Sequence, residues 1–162
     1  MAHTVIDSPI GPLTLVGSDG ALTGLYMAEH RYAPSEFGTR ADDTLPAAAE
    51  QLAAYFAGEL RDFDLTLAPR GTPFQQRVWA ALREVPYGET VTYGELAATI
   101  GRPSASRAVG HANGHNPISI VVPCHRVVGS AGNLTGYGGG LPRKRFLLDL
   151  ERSKAQLSLG LG

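Results

Sequence analysis

The chain has a single cysteine, Cys124, among its 162 residues. One cysteine permits no internal disulfide, as is usual in a reducing cytosol, and it excludes a cysteine-ligated zinc site of the ordinary kind. No apolar run reaches the roughly 18–20 residues of a membrane span. The first residues carry no basic stretch followed by an apolar one, so neither a membrane anchor nor a secretory leader is expected. Internal repeats and low-complexity segments are missing too. The glycine-rich stretch 129–140 lacks the lysine and serine of a phosphate-binding loop, which sets aside a nucleotide-phosphate role. What remains, 43% apolar and 18% charged, is the composition of an ordinary soluble protein with room for one or two small domains. A cytoplasmic location is expected, with no metal and no cofactor.

The net charge of −1 conceals an asymmetry. Residues 1–71 carry four Arg against ten Asp and Glu, whereas residues 72–162 carry ten Lys and Arg against five acids. The division predicts two units, 1–71 and 72–162, the second suited to a polyanion.

In the first unit, His3–Asp7, Leu13–Val16 and Ala21–Ala28 alternate as strands of an antiparallel meander, with turn signals at 8–12 and 18–20. Residues 29–43 read as a polar, mobile loop. Leu45–Ala57 has apolar residues at helical spacing (Leu45, Ala49, Leu52, Phe56) and stops at Gly58, and Phe63–Leu67 alternates as a further strand. The second unit opens with Thr72-Pro73-Phe74-Gln75, a capping box with proline at the first helical position. Trp79 lies beside the apolar stripe of that helix and is expected in the core. Tyr93–Ile100, a turn at Gly101-Arg102-Pro103, and Ser104–Gly114 fit helix-turn-helix, with Ser104 as N-cap of the recognition helix. Pro142–Glu151 reads as a last helix with Phe146, Leu147 and Leu150 inward and Arg143, Lys144 and Arg145 solvated, and residues from Ser153 onward read as a frayed tail.

The segment Ile118–Val128 carries the chemistry. Its β-branched run, closed by Pro123, predicts a buried strand that delivers Cys124 to its end with His125 and Arg126 alongside. A buried lone cysteine is ordinarily a small hydrophobe, and reactivity requires a lowered pKa or an adjacent base. Adjacent residues on an extended chain face opposite ways, so His125 can serve the thiol only through a turn or a bridging water.

Pro123-Cys124-His125-Arg126-Val127, preceded by Asn116-Pro117 and followed by Gly136-Tyr137-Gly138-Gly139-Gly140, resembles the active-site signature of the O6-alkylguanine-DNA alkyltransferases. The resemblance runs in register from Thr72 to Arg152. It implies an α/β protein: an N-terminal ribonuclease H-like sheet-plus-helix domain followed by a C-terminal winged-helix-like domain. It further implies transfer of an alkyl group from O6-alkylguanine, and more slowly O4-alkylthymine, in double-stranded DNA to Cys124, once per molecule. By the same resemblance His125 is the base and Glu151 its partner, Asn116 braces the cysteine turn, and Tyr93 supplies a proton to the leaving base. Arg107, 17 positions before Cys124, takes the place of the flipped nucleotide. Ser104, Ala105, Tyr93 and Arg126 join it at the DNA. Tyr137 lines the base pocket, and the backbones of Cys124, Val127, Gly138 and Gly139 read the base. Many relatives have serine at position 138, so a side-chain contact there is lost. The protein is expected to act as a monomer, with cooperative binding along DNA left open.

Three other readings compete. A damage-flagging module would share the scaffold but replace the cysteine, a thiol hydrolase would need an oxyanion hole and turnover, and a transcriptional regulator would leave the thiol constellation unexplained.

Overall fold

The structure, a computed structural model, describes residues 1–158. Strands β1 (Ala2–Ile6), β2 (Leu13–Ser18) and β3 (Ala21–Met27) form the expected antiparallel meander and bury Leu13, Leu15, Leu22 and Leu25. Inside the stretch read as a loop, a two-residue strand β4 (Thr39–Arg40) adds parallel to β1, giving the order β3-β2-β1-β4. Helix α1 (Pro46–Phe56) starts one residue later than expected because Leu45 is left-handed, at φ 52°. Its buried face is Ala48, Leu52 and Tyr55, with Ala49 and Phe56 at the margin, so the stripe read from the sequence was rotated.

Phe63–Leu67 is not a strand. Only Leu67 bridges to Leu22, and the Gln51 side chain of α1 takes both backbone groups of Asp64, at 2.9 and 3.0 Å. A segment whose N–H and C=O are already satisfied by a side chain has no ladder left to form.

In the second unit, α2 (Pro73–Leu82) is capped by the predicted Thr72–Gln75 box. Strand β5 (Val91–Thr92) leads into α3 (Tyr93–Thr99), closed by a second box between Thr92 and Glu95. Helix α4 (Ser106–Gly114) follows a tight turn. Its N-cap is Ala105, without a side-chain bond. Ser104 lies exposed in the preceding turn, which the Ala105 N–H closes onto Arg102 O at 2.9 Å. Trp79 is in the core, and its indole N–H donates to Ala112 O at 2.9 Å, tying α2 to α4.

The last helix, α5 (Leu141–Ser158), runs through the segment expected to fray, with Lys154 O accepting from Arg61 at 3.0 Å. Residues 159–162 lie outside the described ones. Its faces also differ from expectation: Leu147 and Leu148 are buried, Phe146 is exposed, and Lys144 is fully buried. Among the described residues no helix is long and apolar enough to cross a membrane.

Candidate active site and DNA interface

The run Ile118–Val122 is buried but is not a strand. It makes one bridge, Ile118 to Leu25 on the edge of β3, and then folds into a turn in which Ile120 has φ 72°. Asn116 is the cause. Its amide nitrogen donates to Val122 O (2.8 Å) and Ile118 O (3.4 Å), and its oxygen accepts from Ile118 N–H (3.0 Å). A buried side chain thus supplies partners that a neighbouring strand would otherwise supply. The turn delivers Cys124 to the start of a 3-10 turn, Cys124–Arg126, so that Cys124 and His125 are not on an extended chain. Strand β6 (Val127–Val128) then pairs in parallel with β5, which places Tyr93, the first residue of α3, beside the cysteine segment.

On one flank of Cys124 lies a buried ionic network. Glu151, fully buried on α5, accepts from His125 Nε2 at 2.7 Å, from Arg126 at 2.8 and 3.0 Å, and from the Tyr55 hydroxyl at 2.6 Å. Burial alone would raise Glu151, yet His125 and Arg126 hold its carboxyl well below the usual carboxylate range. An ionised carboxylate only accepts, so His125 Nε2 carries a proton, and in the neutral imidazole Nδ1 is then the acceptor. That Nδ1 is buried without a partner. Burial pushes the Cys124 thiol up, opposed by the Asn116 side chain and the Lys144 ammonium. The resting sulfur is therefore a thiol, and attack needs a base such as this free imidazole nitrogen.

Arg126 is corrected by this network. Expected at the DNA, it is 6% exposed, with its guanidinium committed to Glu151 and to Val85 O at 2.7 Å. Two participants were missed. Tyr55 lay off the apolar stripe read for its helix and carried no signal of a polar role. Lys144 sat in an Arg-Lys-Arg run that reads as solvated, yet its ammonium donates to Val127 O (2.6 Å) and Thr135 O (2.7 Å), pinning the glycine-rich loop to β6. Burial draws its pKa down to about 8, an effect that Cys124 opposes.

On the other flank is a pocket of about 170 Å³. Tyr93, Gly110 and Asn113 form one wall, and Tyr137 and Gly138 form another. Helix α4 passes close to the Tyr93 ring, which a β-carbon at Gly110 would meet in ordinary contact at 3.5 Å. Arg31 and Tyr32 of the first unit complete the rim: the Arg31 N–H donates to Gly138 O at 2.8 Å, and Tyr32 stacks on His115 at 3.9 Å. The stretch 29–43, expected to be mobile, is thus anchored at this end. A β-carbon at position 138 would lie 2.6 Å from His30 Nε2, so a larger residue there requires the imidazole to shift. The His30 imidazole, whose pKa burial and Arg143 lower to about 4, accepts from Met27 N–H and props the loop. Gly139 packs on Met27, and Val127 lies behind the wall with its carbonyl on Lys144. Arg107 is exposed one residue into α4, with Ala105 half-buried at the helix start. Of the expected site residues, the fold therefore gathers Cys124, His125, Glu151, Asn116, Tyr93, Tyr137 and Gly138 around one turn, and sets Arg107, Ser104 and Ala105 at the entry to α4.

Comparison with known proteins bears on this arrangement. Residues 1–69 match the 6-O-methylguanine DNA methyltransferase ribonuclease-like domain, and residues 73–153 match the DNA binding domain of the same enzyme. A Mycobacterium tuberculosis methylated-DNA–protein-cysteine methyltransferase is 59% identical over 160 residues, covering 98% of this chain and 97% of that protein. One from Methanosarcina acetivorans is 51% identical over 155 residues, covering 94% and 99%. The crystal structure of Mycobacterium tuberculosis OGT in complex with DNA superposes with a TM-score of 0.91 at 57% identity, covering 98% and 99%. The O6-methylguanine-DNA methyltransferase of Pyrococcus kodakaraensis gives 0.71 at 29% identity, over 92% and 98%. With both units matched across nearly the whole chain, and with a cysteine, imidazole and carboxylate gathered at one turn, the chain belongs to the 6-O-methylguanine DNA methyltransferase family.

Proposed function

We propose that this chain repairs alkylated DNA directly, moving the alkyl group of O6-alkylguanine in duplex DNA to Cys124 once per molecule. The observation that carries the reading is the buried Glu151–His125 pair, which leaves an unpartnered imidazole nitrogen on the residue that follows the single cysteine. The thiol proton passes to His125 Nδ1, through a water where distance requires, and Glu151 stabilises the imidazolium. Sulfur attacks the alkyl carbon in line, the S–C bond forms as the C–O6 bond breaks, and the electron pair leaves on O6. Tyr93 supplies a proton to the departing ring and recovers it from the imidazolium side through solvent. The net change is thiol plus O6-alkylguanine to thioether plus guanine. No group at the site can remove a thioether, so each molecule acts once.

The target atom lies inside a stacked duplex, so the nucleotide must be flipped into the pocket. Helix α4 enters the groove with Ser104 and Ala105 at the backbone, and Arg107 fills the vacated stack. Neutralisation of phosphates by the basic second unit supplies sequence-independent affinity. O4-alkylthymine is a slower substrate, and the protein works in the cytoplasm as a monomer. Cys124 removes the reason to prefer a flagging module, whose scaffold lacks the nucleophile. A titration tests the reading: with excess O6-methylguanine duplex, repaired guanine should plateau at one equivalent per protein. Continued turnover would point to a hydrolase, and no repaired guanine to a binding module.

A further inference from the structure

Glu151 Oε2 is the most heavily engaged atom of the buried network. It accepts from His125 Nε2 at 2.7 Å, from the Arg126 guanidinium at 3.0 Å and from the Tyr55 hydroxyl at 2.6 Å, whereas Oε1 accepts only from Arg126, at 2.8 Å. His125 and Arg126 follow the cysteine in the chain, but Tyr55 belongs to α1 of the first unit. The shortest of the four bonds therefore comes from the unit that supplies none of the other groups assigned to the transfer. Packing fixes its direction. The Tyr55 ring is fully buried, 5.3 and 5.4 Å from the rings of Phe56 and Phe63 and 6.2 Å from that of Tyr87 in the second unit. Burial, and then the neighbouring carboxylate, holds the phenol well above its ordinary pKa, so the hydroxyl stays protonated and donates to Glu151. Phenylalanine would fill the same apolar surroundings, so it is the hydroxyl that needs a reason.

In the proposed transfer the imidazole meets two conflicting requirements. Nδ1 must be free of a proton before the thiol is deprotonated, and the imidazolium must be stabilised afterwards. A buried carboxylate 2.7 Å away serves the second and opposes the first, because an adjacent negative charge favours the charged ring. Each donor on Oε2 takes up part of that charge. We infer that Tyr55 is a positioning residue for the transfer, acting from the first unit through Glu151 Oε2 to limit the pull of the carboxylate on His125 and keep the base free. Arg126 shares the task but mainly fixes the carboxylate plane, since it alone reaches both oxygens. The other ionisable groups about the pair are Tyr87, with Arg61 5.1 Å from its ring, Tyr137, and the Cys124 thiol with the Lys144 ammonium acting on it. Among the described residues none of these donates to Glu151. The inference rests on the proposed role of His125 as the base.

The test is single-turnover transfer from excess O6-methylguanine duplex, followed across pH. Because each molecule reacts once, the amplitude counts the folded molecules and the rate constant reports the chemistry, so partial unfolding lowers only the amplitude. On the acid side the rate falls as Nδ1 takes a proton and ceases to be a base. Tyr55→Phe leaves more charge on Oε2, and the midpoint of that acid limb should move to higher pH by about half a unit or more, a fraction of what one hydrogen bond to a charge contributes. Tyr55→3-fluorotyrosine keeps nearly the same shape with a more acidic hydroxyl, a stronger donor, and should move the limb the opposite way. The half-saturating duplex concentration should stay the same in both variants. A purely structural role would move neither midpoint. A midpoint that stays in place in the fluorotyrosine protein, or that moves the same way in both variants, would overturn the inference. Should the unaltered protein leave Cys124 unmethylated, the proposed function falls and the inference falls with it.

Discussion

The two flanks of Cys124 are built on opposite principles. Toward α5, every oxygen of Glu151 is engaged, by His125, Arg126 and Tyr55, and the group is fully buried. Toward α4, the oxygen of Asn113 and the hydroxyl of Tyr137 are buried and unpaired. The engaged carboxylate holds a geometry fixed around His125 Nδ1, itself left open, whereas unpaired polar atoms elsewhere cost stability until a ligand meets them. On the proposed function the difference separates two tasks: one side prepares the sulfur, and the other receives the base. Changes on the first flank should cost stability and rate together, and changes on the second should cost repair of the duplex.

The largest effect is expected at the junction. Cys124→Ala should abolish transfer while leaving affinity for an O6-methylguanine duplex nearly unchanged in a gel-shift assay, and retained transfer would remove the nucleophile assignment. Next, Glu151→Ala strands the Arg126 guanidinium in a buried site. A loss of about 3–5 kcal/mol of unfolding free energy is expected in urea melts, with single-turnover transfer slowed by about 10²-fold or more. An unaltered melt would mean that the network does not hold the turn.

The same carboxylate sets a pH dependence. Its folded pKa lies below the unfolded one, so at acid pH the unfolded chain binds more protons and stability rises with pH. The Glu151 contribution should be complete above the ordinary carboxylate value of about 4.3 and fade as pH falls below it. Glu151→Gln should flatten that acid limb, and an identical limb in both proteins would contradict the charge assignment.

On the pocket flank, Arg107→Ala should slow repair in duplex DNA by about tenfold or more while sparing reaction with free O6-benzylguanine, since flipping costs a few kcal/mol only in the duplex. Equal losses on both would argue against a flipping role. The smallest effect concerns the basic unit as a whole: affinity for undamaged duplex should fall linearly on a log–log salt plot, and a flat response would deny the phosphate contacts.

How much of this was legible in the sequence follows the same division. The meander and the Thr72–Gln75 cap rest on local rules, period-two alternation and a capping box, and both stand in the structure. The failures came where side chains override the backbone. Ile118–Val122 reads as a strand because its residues are β-branched, but Asn116 takes the groups that a ladder would use. Phe63–Leu67 fails similarly, with Gln51 in that part. Arg126 was placed at the DNA by the resemblance and Lys144 at the surface as part of a charged run, yet carbonyls and a carboxylate distant in the chain draw both inside. Tyr55 contacts Glu151 across 96 positions, a pairing that no local pattern encodes. The resemblance could register Cys124, His125 and Glu151 by spacing. It could not show that Gly138 packs against His30, because that contact joins residues 108 positions apart.

The central claim is that Cys124 itself receives the alkyl group. Intact-protein mass spectrometry after mixing with one equivalent of O6-methylguanine duplex tests it most directly, followed by digestion to locate the added mass. A gain of one methyl group on the peptide bearing Cys124 is the predicted result. An unchanged mass alongside tight, lesion-specific binding would contradict it and make the protein a damage-flagging module.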